Sequence, residues 1–397
     1  MTEIAALPQT VLPPGIRSRF VKNVNGLRMH ILEAGFETGS EKKTARPLVL
    51  LLHGFPELAY SWRKVMLPLT AAGYRVVAPD QRGYGRTTGW DRNYDGDVAS
   101  FRTLNLVRDV MALVSALGYR SVAGVFGHDA GSYVAAWSAL IRPDIFRSVA
   151  MMSGPFGGAP SLPFGTDDDG STKNDGSAQA GAARIHDDLA ALKRPRKHYQ
   201  WYYSTRPAND NMWKCPQGVH AFMRAYYHHK SADWKQNQPF PLKSWTATEL
   251  EKMPTYYIMD LNEGMAETVA KEMPTSAEIA ANTWLPDNEL AVYAEEYGRN
   301  GYQGGLQWYR CNTSGANAAE LQLFCDRTID VPSCFIAGKS DWGIYQRPGG
   351  DMIKMQKDAV THMLGCHLVE GAGHWVQQEQ PGKVSALLVD FLKRQAR

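Results

Sequence analysis

The sequence is short of cysteine, of charge imbalance and of long apolar runs, and each shortage removes a class of function. Its five cysteines (Cys215, Cys311, Cys325, Cys334 and Cys366) are an odd number in 397 residues and include no C-x-x-C pair. That argues against a disulfide framework and against a zinc site, and it fits a reducing compartment, the cytoplasm. The formal charge is only +3, with no basic run to concentrate it, so neither nucleic acid nor an anionic membrane surface is expected as a partner. No apolar run approaches the roughly 20 residues that span a bilayer, and residues 1–14 lack the basic start and apolar core of a secretory signal. No repeat recurs at a fixed period. What remains is a chain with 44% hydrophobic and 21% charged residues, a globular profile with length enough for a sizeable core.

Taken in order, the chain alternates strand and helix. Residues 19–24 and 27–34 flank Asn25-Gly26 and read as a hairpin with a type I′ turn. Leu48-Val49-Leu50-Leu51-Leu52 is apolar at every position, as suits a strand covered on both faces in a parallel sheet. Residues 58–72 read as helix, 74–78 as strand, 82–100 as loop and 103–117 as an amphipathic helix closed by Gly118. A strand over 121–126, a helix over 133–141 and a strand over 147–152 follow. This alternation predicts an α/β fold with a mostly parallel sheet and crossover helices.

The character changes at Ser153. Residues 154–183 are rich in Gly, Pro, Ser and Asp without periodicity and read as a long flexible connection. Residues 186–326 carry helical segments dense in Tyr and Trp, with no clear strand pattern. The sheet resumes at 331–337; 351–364 reads as helix, 367–370 as a last strand and 381–395 as a closing helix. The expected organisation is a core over 1–153 and 327–397, interrupted over 154–326 by a helical cap with a flexible lead-in.

One stretch carries the chemistry. Val125-Phe126-Gly127-His128-Asp129-Ala130-Gly131-Ser132 has the layout of a nucleophile elbow, a tight strand-to-helix turn that lifts one side chain above the sheet edge. Gly127 and Gly131 supply the small neighbours the turn needs. The usual occupant of the apex is Ser; here it is Asp129. A carboxylate can displace a leaving group at a saturated carbon and form an ester on the enzyme itself. An Asp capping an ordinary helix would give the same local pattern, so the reading depends on its company. His374 in Gly371-Ala372-Gly373-His374-Trp375 follows the last strand, and Asp341 in Gly338-Lys339-Ser340-Asp341 follows the strand before it. Residues 154–165 hold no carboxylate that could take the place of Asp341. His53-Gly54-Phe55-Pro56 follows another strand and can aim a backbone N–H at an oxyanion. Ligands of open α/β sheets bind at such carboxyl ends, and the order nucleophile, acid, His is that of the α/β-hydrolases.

With these motifs and Pro79-Asp80-Gln81-Arg82-Gly83-Tyr84-Gly85, the chain resembles the α/β-hydrolase superfamily and, within it, the epoxide hydrolases. The resemblance implies an α/β-hydrolase core with an inserted helical cap, and two cap tyrosines that protonate the opening ring. Tyr199 in His198-Tyr199-Gln200-Trp201-Tyr202-Tyr203 looks like the first, with Tyr202 and Tyr203 close by as competitors. Tyr309 in Leu306-Gln307-Trp308-Tyr309-Arg310 looks like the second. Asp129 is then the nucleophile and His374, oriented by Asp341, the activator of water. The backbone N–H groups of Phe55 and Ala130 form the oxyanion hole. His53, Pro56, Trp201, Trp308, Trp342 and Trp375 are expected against the substrate, a small apolar epoxide. Water is the second substrate, no cofactor or metal is expected, and a homodimer is left open.

Two other functions share these residues. Haloalkane dehalogenases commonly place Trp after the nucleophile, and fluoroacetate dehalogenases Arg; this chain has Ala130, which counts against both only in combination with Tyr199 and Tyr309. A non-enzymatic ligand receptor on the same fold has no need of a water-activating His. Other patterns carry no chemistry. Gly338-Lys339-Ser340 lacks the earlier Gly of a phosphate loop, and Gly83-x-Gly85 opens no helix. His228-His229 reads as solvated helix surface, and Asp167-Asp168-Asp169 as a solvated stretch.

Overall fold

The computed structural model describes residues 4–36, 46–162, 177–347 and 351–395. An eight-stranded sheet forms its centre. β1 (Ile16–Val24), β2 (Leu27–Ala34), β3 (Leu48–Leu52), β4 (Arg75–Pro79), β5 (Gly124–His128), β6 (Val149–Met152), β9 (Ser333–Gly338) and β10 (Met363–Val369) lie in the order β1-β2-β4-β3-β5-β6-β9-β10. β1 and β2 pair antiparallel, as do β2 and β4, and all later neighbours are parallel. The turn between β1 and β2 has φ of 48° at Asn25 and 81° at Gly26, the pair of positive values that a type I′ turn requires. β3, β5, β6 and β9 are buried at every residue, because crossover helices cover both faces of a parallel sheet.

The helices of the first half are α1 (Arg63–Ala71), α2 (Thr103–Ala116) and α3 (Ala130–Ile141). Between β6 and β9 no strand joins this sheet among the described residues; the chain forms α4 (Ser177–Ala190), α5 (Tyr199–Tyr203), α6 (Pro207–Trp213), α7 (Gly218–His229), α8 (Ala247–Leu250), α9 (Met265–Ala270), α10 (Ser276–Ala281), α11 (Asp287–Asn300), α12 (Gln303–Thr313) and α13 (Ala318–Leu321). α14 (Asp351–Lys354), α15 (Val376–Glu379) and α16 (Pro381–Gln395) complete the set. Among the described residues no helix is long and apolar enough to cross a membrane.

Four expectations need correction. Residues 177–183, read as flexible, begin α4, whose Ala-rich composition favours helix; 163–176, with Asp167-Asp168-Asp169, lie outside the described residues. Two three-residue strands, β7 (Arg196–His198) and β8 (Ile258–Asp260), pair antiparallel in the helical segment; they are too short for alternation to register. The helix expected over 351–364 stops at Lys354, passes through a wide turn at Met355–Ala359, and gives way to β10 at Met363. His228 and His229 are buried, not solvated. The His229 ring packs edge-on against Trp234 and Tyr256, with centroids 4.5 and 4.7 Å away.

Candidate active site

The carboxyl ends of β3, β5, β6, β9 and β10 meet at one edge of the sheet. β5 runs into Asp129, whose φ of 51° and ψ of −121° make a sharp corner before α3. A non-glycine residue with this φ is strained and persists only when its surroundings hold it. A Cβ on Gly127 would lie 2.1 Å from the Gly131 carbonyl oxygen, and one on Gly131 would lie 2.3 Å from that of Leu52. The glycines therefore let strand, corner and helix close on one another.

The corner leaves the Asp129 side chain 19% exposed in an otherwise buried setting. Its Oδ1 accepts a hydrogen bond from the Phe55 N–H at 3.0 Å, and its Oδ2 lies 3.2 Å from His374 Nε2. As the first residue of α3, Ala130 has an N–H without an intrahelical acceptor. Burial opposes ionisation of Asp129, but His374, Lys230 and His128 hold its carboxyl well below the usual range.

On the far side of the imidazole, His374 Nδ1 stands 3.1 and 3.2 Å from the two oxygens of Asp341. Asp341 also accepts from the Gly343 N–H at 2.7 Å. Burial works against its charge, yet His374 and these donors bring its pKa below the ordinary value. With Nδ1 facing the Asp341 carboxylate, Nε2 is the nitrogen left to face Asp129.

The backbone of His374 is fixed from three sides. Its N–H donates to the Lys230 carbonyl at 2.9 Å. Its carbonyl accepts from His128 Nε2 at 2.7 Å and from Ser153 Oγ at 3.0 Å.

Facing this triad are aromatic rings from α5 and α12. The Tyr199 and Tyr309 centroids are 6.0 Å apart, and the Tyr309 ring meets Phe55 edge-on at 5.5 Å. Burial raises both phenols well above their ordinary pKa; the field of Asp129 adds to this at Tyr199, and Tyr199 and then Asp129 add to it at Tyr309. Tyr199 and Tyr309 thus stand as neutral O–H donors within reach of the Asp129 field. The Tyr199 hydroxyl accepts from Gln200 Nε2 at 3.2 Å and donates to Gln346 Oε1 at 3.4 Å. Its two competitors are engaged elsewhere: Tyr202 bonds to Asn211 and Tyr203 to Tyr226.

Residues 47–381 match the family model described as alpha/beta hydrolase fold. Epoxide hydrolase A of Mycobacterium tuberculosis is 30% identical over 381 residues, covering 93% of this chain and 95% of that one. An epoxide hydrolase of Caballeronia sordidicola is 28% identical, covering 93% and 92%. The chain belongs to the epoxide hydrolases of the α/β-hydrolase fold. Among solved structures, an epoxide hydrolase from an endophytic Streptomyces superposes with a TM-score of 0.73 at 29% identity, covering 96% of both chains. Potato (Solanum tuberosum) epoxide hydrolase I gives 0.69 at 28% identity, covering 96% of this chain and 99% of that one.

Four residues of this hydrolase expected against a substrate are turned to packing instead. His53 is buried, with Nδ1 on the Gly54 carbonyl and Nε2 accepting from the Gln81 N–H, so neither ring nitrogen remains for a ligand. The Trp308 indole donates to the Arg82 carbonyl, and that of Trp375 to the Tyr227 carbonyl. Trp201 packs edge-on against His186 and His198. Pro56 accepts from the Tyr227 hydroxyl through its carbonyl, and Trp342 is buried beside Phe240, its indole N–H without a partner among the described residues.

The sequence reading missed the supports beneath the site. Glu57 bonds to His128 Nδ1 at 2.5 Å and accepts from the Gly54 N–H and from Gln377 and Gln378. Since His128 Nε2 must donate to the His374 carbonyl, a charged imidazolium lets both ring nitrogens donate. Glu379 accepts from the N–H groups of Gly373, Trp375 and Ala232, tying the His374 loop to the turn after α7. The buried Lys230 was also missed. Glu57 stands four residues after His53 and could have been suspected as a carboxylate in a strand-end loop; nothing local marks Lys230 or Glu379.

Proposed function

We propose that this chain hydrolyses an epoxide to a vicinal diol through a covalent ester on Asp129. The observation that carries this is a carboxylate held on one oxygen by the Phe55 N–H, beside His374 on the other, with two neutral phenols in its field. Oδ1 being held, Oδ2 attacks a ring carbon. The ring C–O bond breaks, its electron pair stays on oxygen, and a proton passes from Tyr199 or Tyr309 to that oxygen. General acid assistance of this kind is worth about 10²–10⁴-fold.

In the second half, His374 Nε2 takes a proton from water and the water oxygen adds to Asp129 Cγ. The charge that develops on Oδ1 meets the N–H groups of Phe55 and Ala130. Collapse expels the second diol oxygen, which takes the proton back from His374. Asp129 is left as an acid with one oxygen from water, and its proton returns to the phenolate. Asp341 keeps the imidazole in the productive tautomer and stabilises its charged form.

In this reading residues 154–326 form the cap that carries Tyr199 and Tyr309, and residues 1–153 and 327–397 the core that carries Asp129, Asp341 and His374. Pro56 and Trp342 line the substrate. The cysteine usage favours a cytoplasmic setting. A dehalogenase reading is weaker, because Ala130, which offers no side-chain donor to a halide or carboxylate, is combined with the two phenols of Tyr199 and Tyr309.

The test is a single turnover in ¹⁸O-labelled water with enzyme in excess over styrene oxide. The diol should carry no label, and the label should appear in the peptide holding Asp129. Label in the first-turnover diol would mean direct attack by water and would overturn the covalent scheme.

A further inference from the structure

Lys230 follows α7, and its side chain is buried, with the residue only 4% exposed. Its Nζ lies 5.5 Å from the ring centroid of Tyr226, 5.7 Å from Tyr256, 5.1 Å from Tyr257 and 5.4 Å from Trp375. Such a box of aromatic faces favours the ammonium form. Burial lowers the Lys230 pKa below its ordinary value against the opposing fields of Asp129, Asp341 and Glu57, and among the described residues none of these carboxylates forms an ion pair or a hydrogen bond with it. An ammonium carries three N–H donors, and ring faces are weak substitutes for acceptor lone pairs. Tyr257, one wall of the box, has a buried hydroxyl that is without a partner among the described residues.

These two groups border the reacting atoms. The Tyr257 ring packs on Tyr199 at 5.1 Å. Trp375 directly follows His374, with ring centroids 4.8 Å apart. Among the described residues, a hydroxyl without a partner and an ammonium met by ring faces thus sit at rings that adjoin Tyr199 and His374. In the ester mechanism Tyr257 has no task, and Lys230 only adds to the field that keeps Asp129 ionised.

We propose that Lys230 and Tyr257 form an oxyanion subsite, so that this hydrolase prefers epoxides carrying a carboxylate close to the oxirane. The proposal rests on the epoxide reading given above. A carboxylate offers acceptor oxygens both to the ammonium and to the hydroxyl of the ring beside it. The nearby charges favour this orientation: Glu57 is matched by His128, and Asp341 is engaged by His374 and Gly343. A substrate carboxylate is drawn to Lys230 and repelled by Asp129, which leaves its oxirane carbons toward the nucleophile. The aromatic surroundings accept the rest of an apolar epoxy acid.

The test compares 3-phenylglycidate with 3-phenylglycidamide, near-isosteric epoxides that differ in charge. Taking the acid-to-amide ratio of kcat/KM in wild type and in Lys230→Met cancels their intrinsic reactivity. The ratio should fall about tenfold or more in Lys230→Met, mainly through KM for the acid, and recover in part in Lys230→Arg. An unchanged ratio would overturn the proposal. Calorimetric binding of 3-phenylpropionate and 3-phenylpropionamide to the wild-type protein gives a second measurement that needs no variant and no turnover. The anion should bind about tenfold more tightly; equal binding contradicts the subsite. If neither epoxide yields a diol, the epoxide reading itself fails, while the binding pair still decides on the anion subsite.

Discussion

In the proposed mechanism, Asp129, Tyr199 and Tyr309 divide the first chemical step between a nucleophile and two proton donors. The phenols are held neutral by burial and by the Asp129 carboxylate, so they can give a proton only as the ring oxygen becomes strongly basic. Tyr309→Phe is expected to lower kcat on styrene oxide by about 10²-fold with little change in KM, and Tyr199→Phe by a similar amount. The double variant should be worse than either. Steady-state kinetics check this, and single variants within twofold of wild type would remove the phenols from the mechanism. The strand-end positions of Asp129, Asp341 and His374 were legible in the sequence because each lies in a short motif of small residues. Lys230 was not, because a lysine after a helix looks solvated until Tyr256, Tyr257 and Trp375, remote in sequence, close around it with Tyr226. Trp308 and Trp375 misled for the same reason: an indole beside a functional motif says nothing about where its N–H points.

At the scale of elements, α12 presents Tyr309 because its backbone rests directly on the loop after β4. A Cβ on Gly304 would lie 1.9 Å from the Gly83 carbonyl oxygen. Gly304→Ala should therefore push α12 away from the sheet, cost about 1–3 kcal/mol, and lower both Tm and kcat. Gly298→Ala is the contrast. Gly298 lies within α11, and a Cβ there meets nothing within 4 Å. That change should raise stability by about 0.5–1 kcal/mol through helix propensity alone. Thermal melts of the two variants test the pair; equal behaviour would mean that the contact between Gly83 and Gly304 does not hold α12. The long periodic helices and fully apolar strands were legible in the sequence with small shifts at their ends. β10 was placed late because it is an edge strand, half-buried along most of its length, and so shows no clean apolar pattern.

At the scale of the whole molecule, the sheet edge is pinned by charge as well as by apolar packing. Glu33 on β2 is buried and accepts from Arg17 and Arg19 on β1 and from Arg75 on β4. Burial opposes its ionisation, but the hydrogen bonds from Arg19, Arg75 and Arg17 bring its pKa down to about 2, from an ordinary 4.5. A carboxylate whose pKa is lower folded than unfolded adds stability that is full above the unfolded value and is lost as pH falls toward the folded one. Glu33→Gln should thus cost about 3 kcal/mol near neutral pH. The gap in Tm between variant and wild type should narrow as pH drops below about 4.5 toward 3. A gap independent of pH would show that the glutamate acts by packing. The α/β alternation was legible in the chain, and the composition changes close to where β6 ends at Met152. How α5, α7 and α12 sit over the strand ends was not, because that fit is made by contacts between residues far apart in sequence.

The central claim is that a carbon–oxygen ester forms on Asp129 and that His374 is needed to break it. His374→Gln keeps the nucleophile and removes the base that activates water. Incubated with styrene oxide, the variant should gain the mass of one substrate molecule, with the added mass mapping to the peptide that contains Asp129. An intact protein mass that never changes, together with diol formation by Asp129→Ala, would contradict the account.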